Sequence, residues 1–586
     1  EIGSTGDRMF LSSMSQISFY PGEKVKLAFD LDPWYAKDNY TFSYSSTNET
    51  VATVNQEGEV TALKKGNATI TLKTNKHTDK VSNIMATVRL EVKSEFVIED
   101  RMLVAYKGLG GRVVIPDDEG ILYIGAYAFC LYETDYSVEL PEDDYDANKI
   151  PSANTSITEV VIPYGVEEIQ KYAFYNCTAL RVVEVPTSLK YIREYAFYND
   201  KQLTTVKLLG SSDSENLGLE ATKAETVGKY AFYGCEKLEN INISKIFAIG
   251  ERAFANCTNI NYLSMSDNLK IIGKEAFKEC ESLTRVTLGK GITEVSEGAF
   301  ENCSSIGSVT MTKEVISLGK IAFRGCYSLK KVTFSDTLTT IGENCFRGCM
   351  ALESVEIPKS VTEIGSGAFE YCKAIVSIAI PDGVTCIESS AFYNCAKLSS
   401  VKLPDGLTVI EGFAFFGCVS LTSIDFNAKL TTIKRGAFWN SGLTKVNIPD
   451  NVTTVEGVAF ARCPITSVRL PKNLAGFEAD VFYNCVKLEY IETALSLKDL
   501  SRILKSGSQS LKSVIINDTT VTDDVAQTFP NVTYYIQSGK APSAAAVSKY
   551  GLSANVIVNG CNLAEDGSIA SITVSKGSIC NYVEGK

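Results

Sequence analysis

The apolar and polar residues of this chain follow a pattern that repeats about every 23 residues. One repeat, 352–374, reads LESVEIPKSVTEIGSGAFEYCKA. Within it, Val355 and Ile357 alternate with polar residues, which is typical of a short β-strand with one buried face. Pro358 cannot donate a ladder hydrogen bond and therefore ends the strand. The pattern predicts one short strand in each repeat, followed by a turn.

The repeat continues along most of the 586 residues. An Ala-Phe pair, or a close variant, recurs with its Phe at positions 129, 174, 197, 232, 254, 277, 300, 323, 346, 369, 392, 415, 438, 460 and 482. A single repeat is too small to fold alone, whereas stacked repeats share one continuous core. Single globular cores stop growing at about 250–300 residues, so an array also accounts for the length of the chain.

These motifs carry a resemblance to a known family. The LxxVxIP strand, the Ile-Gly turn and the Ala-Phe-x-x-Cys signature resemble the BspA-like leucine-rich-repeat family of bacterial surface proteins. The segment APSAAAVSKYGLSANVIVN is similar to the helix and strand that cap such arrays. The resemblance implies a mainly β protein. We expect a curved leucine-rich-repeat solenoid of about 15 coils over 96–540, with a short parallel strand per coil, and a C-terminal cap over 541–586.

The beginning of the chain follows a different pattern. The string YTFSYSSTNETVATVNQEGEVTALKKGNATITLKT alternates apolar and polar residues between Gly and Asn turn signals, which favours short antiparallel strands. It resembles the group-2 bacterial immunoglobulin-like domain, with Tyr44 where that family usually has Trp. The resemblance implies an immunoglobulin-like β-sandwich over 1–95, a module that serves its family mainly as an extracellular spacer.

Charge and histidine content exclude several functions. With 57 basic and 69 acidic residues the net charge is −12, which disfavours nucleic acid, because nucleic acid is bound through clustered Lys and Arg. No stretch approaches the ~18 consecutive apolar residues of a membrane span, so we expect no membrane insertion of this chain. The single histidine, His77, lies in a polar segment. Histidine-dependent catalysis and zinc sites are therefore disfavoured.

We predict that the chain is not an enzyme and that it has no catalytic residues, metal or cofactor. A glycosidase needs only two carboxylates, and the chain has many. Uniform coils, however, form no deep pocket in which two carboxylates could act on a substrate.

Cysteines follow the same period. Twelve of the 17 lie three residues after the repeat Phe, with Asp200 among the departures from this position. Parallel side chains at neighbouring coils give poor disulfide geometry, and Cys suits a small buried site. We expect free buried thiols, with scattered bridges as the alternative. Cys561 and Cys580 fall outside this ladder and are the best candidates for a disulfide.

The candidate binding residues are aromatic. Outward residues of the predicted strands are mostly short and polar, and poor in the Trp, Tyr and Arg that dominate binding hot spots. Because the coils stack, the tyrosines that flank the Ala-Phe pair should form two rows, a type of surface that suits protein or glycan contact. The alternative is that these rings only shield the core. The candidate residues are Tyr172, Tyr175, Tyr195, Tyr198, Tyr230, Tyr233 and Trp439.

The family resemblance implies a secreted or cell-surface binding protein. It would adhere to host matrix proteins, glycans or other microbes through the solenoid surface. The alternative is a structural or self-associating envelope protein without a dedicated host ligand. We expect a monomer that is extracellular or at the bacterial cell surface, with a protein or glycan as its ligand.

Overall fold

The computed structural model describes residues 8–11, 16–32, 40–76, 85–130, 154–209, 226–242, 246–472, 476–493, 500, 503–504, 509–516, 533–536, 556–558, 561–563 and 569–572. It divides into two compact units, Glu1–Leu238 and Glu239–Lys586. His77, Cys580 and most of the predicted cap lie outside the described residues. The predicted disulfide therefore stays a prediction.

The first unit begins with an immunoglobulin-like β-sandwich. Its strands are β1 (Arg8–Leu11), β2 (Gln16–Phe19), β3 (Lys24–Lys26), β4 (Phe29–Asp32), β5 (Tyr40–Ser46), β6 (Ala52–Val54), β7 (Glu59–Ala62), β8 (Gly66–Lys76) and β9 (Met85–Val92). They pair as the sheets β2-β9-β8-β5 and β3-β7-β6, together with the pair β1-β4. Strands of both larger sheets contribute to one core, which contains Val60, Ile70 and Leu90. The prediction of this fold is confirmed.

Tyr44, which replaces the usual Trp, is buried in this sandwich. Gly58 lies against its ring with a φ of 79°, and a Cβ at Gly58 would come 2.7 Å from the ring. Only a glycine meets both the left-handed backbone and the close approach of the ring without strain.

Repeated coils make up the rest of the first unit. They open with the antiparallel pair β10 (Phe96–Glu99) and β11 (Met102–Tyr106). The longer strands of the coils pair in parallel, in the order β12 (Gly111–Val114), β14 (Ile157–Val161), β16 (Val182–Val185) and β18 (Thr205–Leu208). Shorter strands follow β11 in a second parallel sheet, in the order β13 (Tyr123–Ile124), β15 (Glu168–Ile169), β17 (Tyr191–Ile192) and β19 (Thr226–Val227).

The second unit continues the same coil. Its longer strands are β20 (Asn240–Asn242), β22 (Tyr262–Ser264), β24 (Arg285–Thr287), β26 (Ser308–Thr310), β28 (Lys331–Thr333), β31 (Ser377–Ala379), β33 (Ser400–Lys402), β36 (Lys445–Asn447), β38 (Ser467–Arg469), β40 (Tyr490–Thr493), β41 (Ser513–Ile516), β42 (Thr533–Ile536) and β43 (Val556–Val558). In each unit, we call the outward side of the longer strands the strand face.

The shorter strands of the second unit are two residues long. They are β21 (Ala248–Ile249), β23 (Ile271–Ile272), β25 (Glu294–Val295), β27 (Ser317–Leu318), β29 (Thr340–Ile341), β30 (Glu363–Ile364), β32 (Cys386–Ile387), β34 (Val409–Ile410), β35 (Thr432–Ile433), β37 (Thr454–Val455) and β39 (Gly476–Phe477). A helical hydrogen bond joins Leu504 N–H to the Leu500 carbonyl, and β44 (Cys561–Leu563) pairs antiparallel with β45 (Ile569–Ile572). The second strand per coil is a feature that the sequence pattern did not predict.

A ladder of phenylalanine rings forms the core of the coils. Within the first unit, neighbouring repeat rings stack with centroids 4.5–5.0 Å apart. Within the second unit, the corresponding distances are 5.2–5.7 Å. The repeat phenylalanines are almost completely buried in both units. The predicted leucine-rich-repeat solenoid of about 15 coils is confirmed.

The cysteine ladder is held by its own hydrogen bonds. Cysteines of the described coils are free thiols. Ladder thiols donate to the carbonyl of a repeat Phe in the coil before them, as Cys303 Sγ does to Phe277 O at 3.1 Å and Cys418 Sγ to Phe392 O at 3.2 Å. Burial raises the pKa of the Cys303 thiol well above its ordinary value of 9.0. The ladder thiols are therefore structural donors with little thiolate character.

Candidate functional site

The structure brings the six predicted tyrosines of the first unit together. In one row, Tyr172 stacks on Tyr195 at 4.8 Å, and Tyr195 stacks on Tyr230 at 5.0 Å. Tyr127 extends this row at its beginning, with its ring 4.8 Å from that of Tyr172. Planes of neighbouring rings in the row lie within 13° of each other.

A second row runs beside the first. Tyr198 stacks on Tyr175 and on Tyr233, both at 5.0 Å. The rows also contact each other, because Tyr172 meets Tyr175 edge-on at 5.6 Å and Tyr195 lies 5.6 Å from Tyr198. We call these seven residues the tyrosine platform: Tyr127, Tyr172, Tyr175, Tyr195, Tyr198, Tyr230 and Tyr233.

Burial determines which part of the platform can meet a ligand. Tyr175 is buried, with 3% of its surface exposed, and the other six tyrosines are half-buried. Neighbouring rings of a row cover the faces that they turn to one another. Between the row ends, the edges of the rings, which carry the phenolic hydroxyls, are therefore the part left for a ligand. A ligand would meet these edges, and not the aromatic faces on which sugars commonly stack.

The first row is built on an unfavourable backbone. Tyr127, Tyr172, Tyr195 and Tyr230 have φ values of 58°, 61°, 58° and 55°. A left-handed conformation costs about 1–2 kcal/mol for a residue that carries a Cβ, and bulky residues there are genuine outliers. Strained residues that persist in a structure often mark functional sites.

The corresponding turn in the second unit is left-handed as well, but it holds varied residues. Some of its coils place Gly or Asn there, as at Gly298, Asn344, Gly367 and Gly436, and others place a polar residue, as at Arg252, Glu275, Ser390 and Asp480. Ile321, Phe413 and Val458 show that a bulky residue can occupy the turn singly. The first unit differs in carrying an unbroken run of four tyrosines.

Hydrogen bonds between coils hold the platform in place. Tyr172 N–H donates to Glu194 O at 3.2 Å, and Tyr195 N–H donates to Lys229 O at 2.9 Å. Beside the second row, Asn199 Nδ2 donates to Asn176 Oδ1 at 2.8 Å, and both asparagines also have positive φ. The ammonium of Lys229 lies 5.5 Å from the centroid of the Tyr230 ring. The platform is thus ordered by its own scaffold before any ligand arrives.

Comparison with protein families agrees with this architecture. The family model described as BspA type leucine rich repeat region matches residues 112–218, 225–353, 339–466 and 453–546. The chain belongs to the BspA-type leucine-rich-repeat family. A bacterial Ig-like domain (group 2) matches residues 13–85. Both predicted resemblances are confirmed. These families are binding and structural folds, and BspA-type proteins are typically found at bacterial surfaces.

One solved structure shows the same fold, and a second aligns at lower similarity. A leucine-rich-repeat protein from Bacteroides ovatus ATCC 8483 aligns over 71% of this chain and 96% of its own, with 22% identity and a TM-score of 0.53. A leucine-rich cell surface protein from Faecalibacterium prausnitzii A2-165 aligns over 73% of this chain and 97% of its own, with 22% identity and a TM-score of 0.38. Among curated protein sequences, none matches this chain.

Trp439 lies apart from the tyrosine platform along this BspA-type chain, in an aromatic cluster of the second unit. It is half-buried, and its ring is 5.8 Å from Phe416, which stacks on Tyr393 at 4.5 Å. Phe413 meets Phe416 edge-on at 6.1 Å. The sequence places Trp439 in a second aromatic group with Tyr393, Phe413 and Phe416, apart from the tyrosine rows, and these four rings lie together.

Asp200 is a buried acid behind the platform. It occupies the cysteine position of its coil and is completely buried. Its Oδ1 accepts a hydrogen bond from Cys177 N–H at 2.7 Å, whereas Oδ2 has no hydrogen-bond partner among the described residues. Burial raises the pKa of the Asp200 carboxyl well above its ordinary value of 3.8. The sequence contains a signal for this site, because Asp200 stands at the position where most other coils have Cys.

Charges on the strand face of the first unit are paired. Arg112 lies 3.5 Å from Glu159 and 3.9 Å from Glu184, and Lys207 lies 3.6 Å from Glu184. Arg181 completes the group at 3.7 Å from Glu159. Because these charges satisfy one another, this face offers little to a charged ligand.

In the part of the chain that the structure describes, no helix has the length and apolarity to cross a membrane.

Proposed function

We propose that this chain is a secreted or cell-surface adhesin that binds host matrix proteins, glycans or other microbes through its solenoid surface. The tyrosine platform is the proposed contact, with the aromatic cluster at Trp439 as a secondary one. In this proposal residues 1–95 form the stalk, 96–540 the binding array and 541–586 the cap. The chain works as an extracellular monomer.

The run of strained, stacked tyrosines is the observation that supports this proposal. A turn that glycine or asparagine could form with less strain holds four successive tyrosines instead. Tyrosine provides a large amphipathic contact area with few rotatable bonds, which suits protein and glycan recognition. The rings are already stacked, so little conformational freedom is lost when a ligand binds.

One observation favours the alternative of a structural envelope protein. The ring faces of the platform are used for contacts between coils, and Tyr175 is buried. Stacking of that kind shields the core whether or not a ligand exists. In an adhesin the exposed ring edges bind another molecule, whereas in a structural envelope protein they have no dedicated host ligand. The two functions therefore differ in whether the purified chain self-associates before it binds anything else.

The experiment is a binding screen of the full chain against immobilised matrix proteins, mucins and glycans, run beside sedimentation velocity. We expect saturable binding to at least one ligand class by a chain that sediments as a monomer. Self-association that precedes any other binding would favour the structural alternative. Absence of saturable binding across the screen would contradict adhesion to the ligands tested.

A further inference from the structure

The strand face of the second unit is interrupted at the coil that begins at Leu352. Strands β24, β26 and β28 form one parallel sheet, and β31 and β33 form another. Between them, isolated bridges pair Lys331 with Ser354 and Val355 with Ile378. The coil that begins at Leu352 therefore lacks the regular longer strand of its neighbours.

Backbone hydrogen bonds are missing at the same place. In neighbouring coils, the residue that follows the longer strand donates its N–H to the next coil. Such bonds are Leu288 N–H to Thr310 O at 3.0 Å, Met311 N–H to Thr333 O at 2.9 Å and Ile380 N–H to Lys402 O at 3.0 Å. Among the described coils, the equivalent bonds from Phe334 and Ile357 are absent. Two donors that normally hold the coils together are thus available in this region.

The side chain of Phe334 lies beside this interruption. Neighbouring coils hold a smaller residue at this position, as at Met311 and Ile380, and these residues are buried whereas Phe334 is half-buried. The ring meets that of Phe346 edge-on, with centroids 5.8 Å apart and an angle of 87°. An edge-on ring occupies more of the space between coils than an aliphatic side chain.

A second coil also lacks its longer strand. Phe426 occupies the same position of its repeat as Phe334 and lies edge-on to Phe438 at 5.7 Å. Residues 421–427 around it form no strand in the described structure. The two cases differ, because Phe334 lies in a coil that keeps its strand β28 and precedes the irregular coil, whereas Phe426 lies in the irregular coil itself.

The gap beside Phe334 is a groove of about 620 Å³. This volume lies within the range of about 300–1,000 Å³ that is usual for ligand sites. Phe334 and Ile357 are apolar residues of its lining, and both are half-buried. Charged residues of both signs also line the groove: Lys331, Lys359, Asp336 and Glu356.

These charges differ from those on the strand face of the first unit. Within the described coils, none of Lys331, Lys359, Asp336 and Glu356 lies within ion-pair distance of an opposite charge. The groove therefore combines unpaired charges of both signs, an apolar wall and unpaired backbone donors. A single ligand that carries charges of both signs, an apolar side chain and hydrogen-bond acceptors would contact all of these groups.

We propose that this groove binds an extended peptide segment. An apolar side chain of the peptide packs on Phe334 and Ile357, and a backbone carbonyl of the peptide accepts from Phe334 N–H. Flanking acidic and basic side chains pair with the lysines and carboxylates of the rim. Side-chain pockets of this kind give specificity for extended peptides.

The test begins with a display library of random linear peptides selected against the full chain. We expect enriched peptides that carry an aliphatic or aromatic residue flanked by charges of both signs. In calorimetric titrations of such a peptide, Phe334→Leu should weaken binding by about tenfold or more, as truncation of an interface anchor does. Glu356→Ser should also weaken binding. Phe426→Leu is the matched control and should leave the affinity unchanged.

Several results would overturn the proposal. They are a failure to enrich any peptide, an affinity that does not depend on Phe334, and binding of a glycan instead of a peptide in this groove. Hydrogen exchange provides a measurement that needs no ligand. The amides of Phe334 and Ile357 should exchange faster than those of Met311 and Ile380, and equal protection would show that the groove is closed.

This site is independent of the tyrosine platform. A peptide that binds the groove should retain its affinity for a chain with Tyr195→Phe and Tyr230→Phe. Failure of the platform and failure of the groove can therefore be distinguished with the same set of variants.

Discussion

The coils of the first unit and those of the second unit form the same turn with different residues. Two positions before the repeat Phe, the backbone is left-handed in both units. The first unit places four successive tyrosines there, from Tyr127 to Tyr230, whereas the second unit uses Gly298, Gly367 and Gly436 in several coils. The core beneath is the same ladder of phenylalanines. The repeat therefore specifies the core but leaves the turn surface open to other requirements.

The strand faces differ in a similar way. On the first unit, Arg112, Glu159 and Glu184 pair with one another and cover the sheet. On the second unit, the sheet is interrupted beside Phe334, and the charges around it remain unpaired. In both comparisons, the coil tolerates changes at its surface that its core would not accept.

The largest predicted effect concerns the common core. Phe197→Ala in the first unit and Phe346→Ala in the second should each lower the free energy of unfolding of the local coils by about 3–5 kcal/mol, because both rings are fully buried between stacked neighbours. Local hydrogen-exchange protection measures this loss without assuming that the long chain unfolds in one step. Phe346→Leu, as a control, should cost less. A large loss at only one of the two positions would show that the units do not share one kind of core.

A smaller effect is predicted at Asp200. Asp200→Cys should increase the stability of the first unit by about 1–3 kcal/mol at neutral pH, because it removes a buried oxygen without a hydrogen-bond partner. Guanidinium unfolding would measure the change. The reverse substitution, Cys326→Asp, should destabilise the second unit. A neutral or destabilising effect of Asp200→Cys would show that the carboxyl is satisfied.

The Asp200 effect should depend on pH. Because the pKa of this carboxyl is raised in the folded state, the folded chain retains a proton that the unfolded chain loses above about 3.8. The native chain should therefore lose stability relative to Asp200→Cys as the pH rises above this value. A difference that is the same at pH 3 and pH 7 would contradict the burial of an ionisable group.

The smallest effect tests the strained turn. Val458→Asn should stabilise its coil by about 1 kcal/mol, because asparagine tolerates the left-handed backbone better than valine. Tyr195→Asn relieves the same strain but removes stacking with Tyr172 and Tyr230, so it should destabilise by about 1 kcal/mol. Thermal unfolding of both variants would check the opposite signs. Stabilisation by Tyr195→Asn would mean that the stacking contributes little.

The period of the sequence was sufficient to predict the coil, the phenylalanine ladder and the two tyrosine rows. In a stacked array, residues one period apart occupy equivalent environments, so spacing determines neighbours. The orientation of the rings was beyond such reasoning, because the spacing places Tyr172 above Tyr195 without saying which part of each ring meets solvent. The groove was missed for a related reason. A hydrophobic pattern treats Phe334 like Met311, although Phe334 is half-buried beside the groove and Met311 is buried.

We propose that the tyrosine platform binds ligands through the edges of its rings. The most direct measurement is the affinity of a chain with Tyr195→Phe, Tyr198→Phe and Tyr230→Phe for a ligand found in the screen. These changes keep the stacked rings and remove the hydroxyls. Tyr371→Phe with Tyr393→Phe in the second unit is the matched control. We predict unchanged folding and an affinity weakened about tenfold in the platform variant alone. An unchanged affinity would contradict the claim.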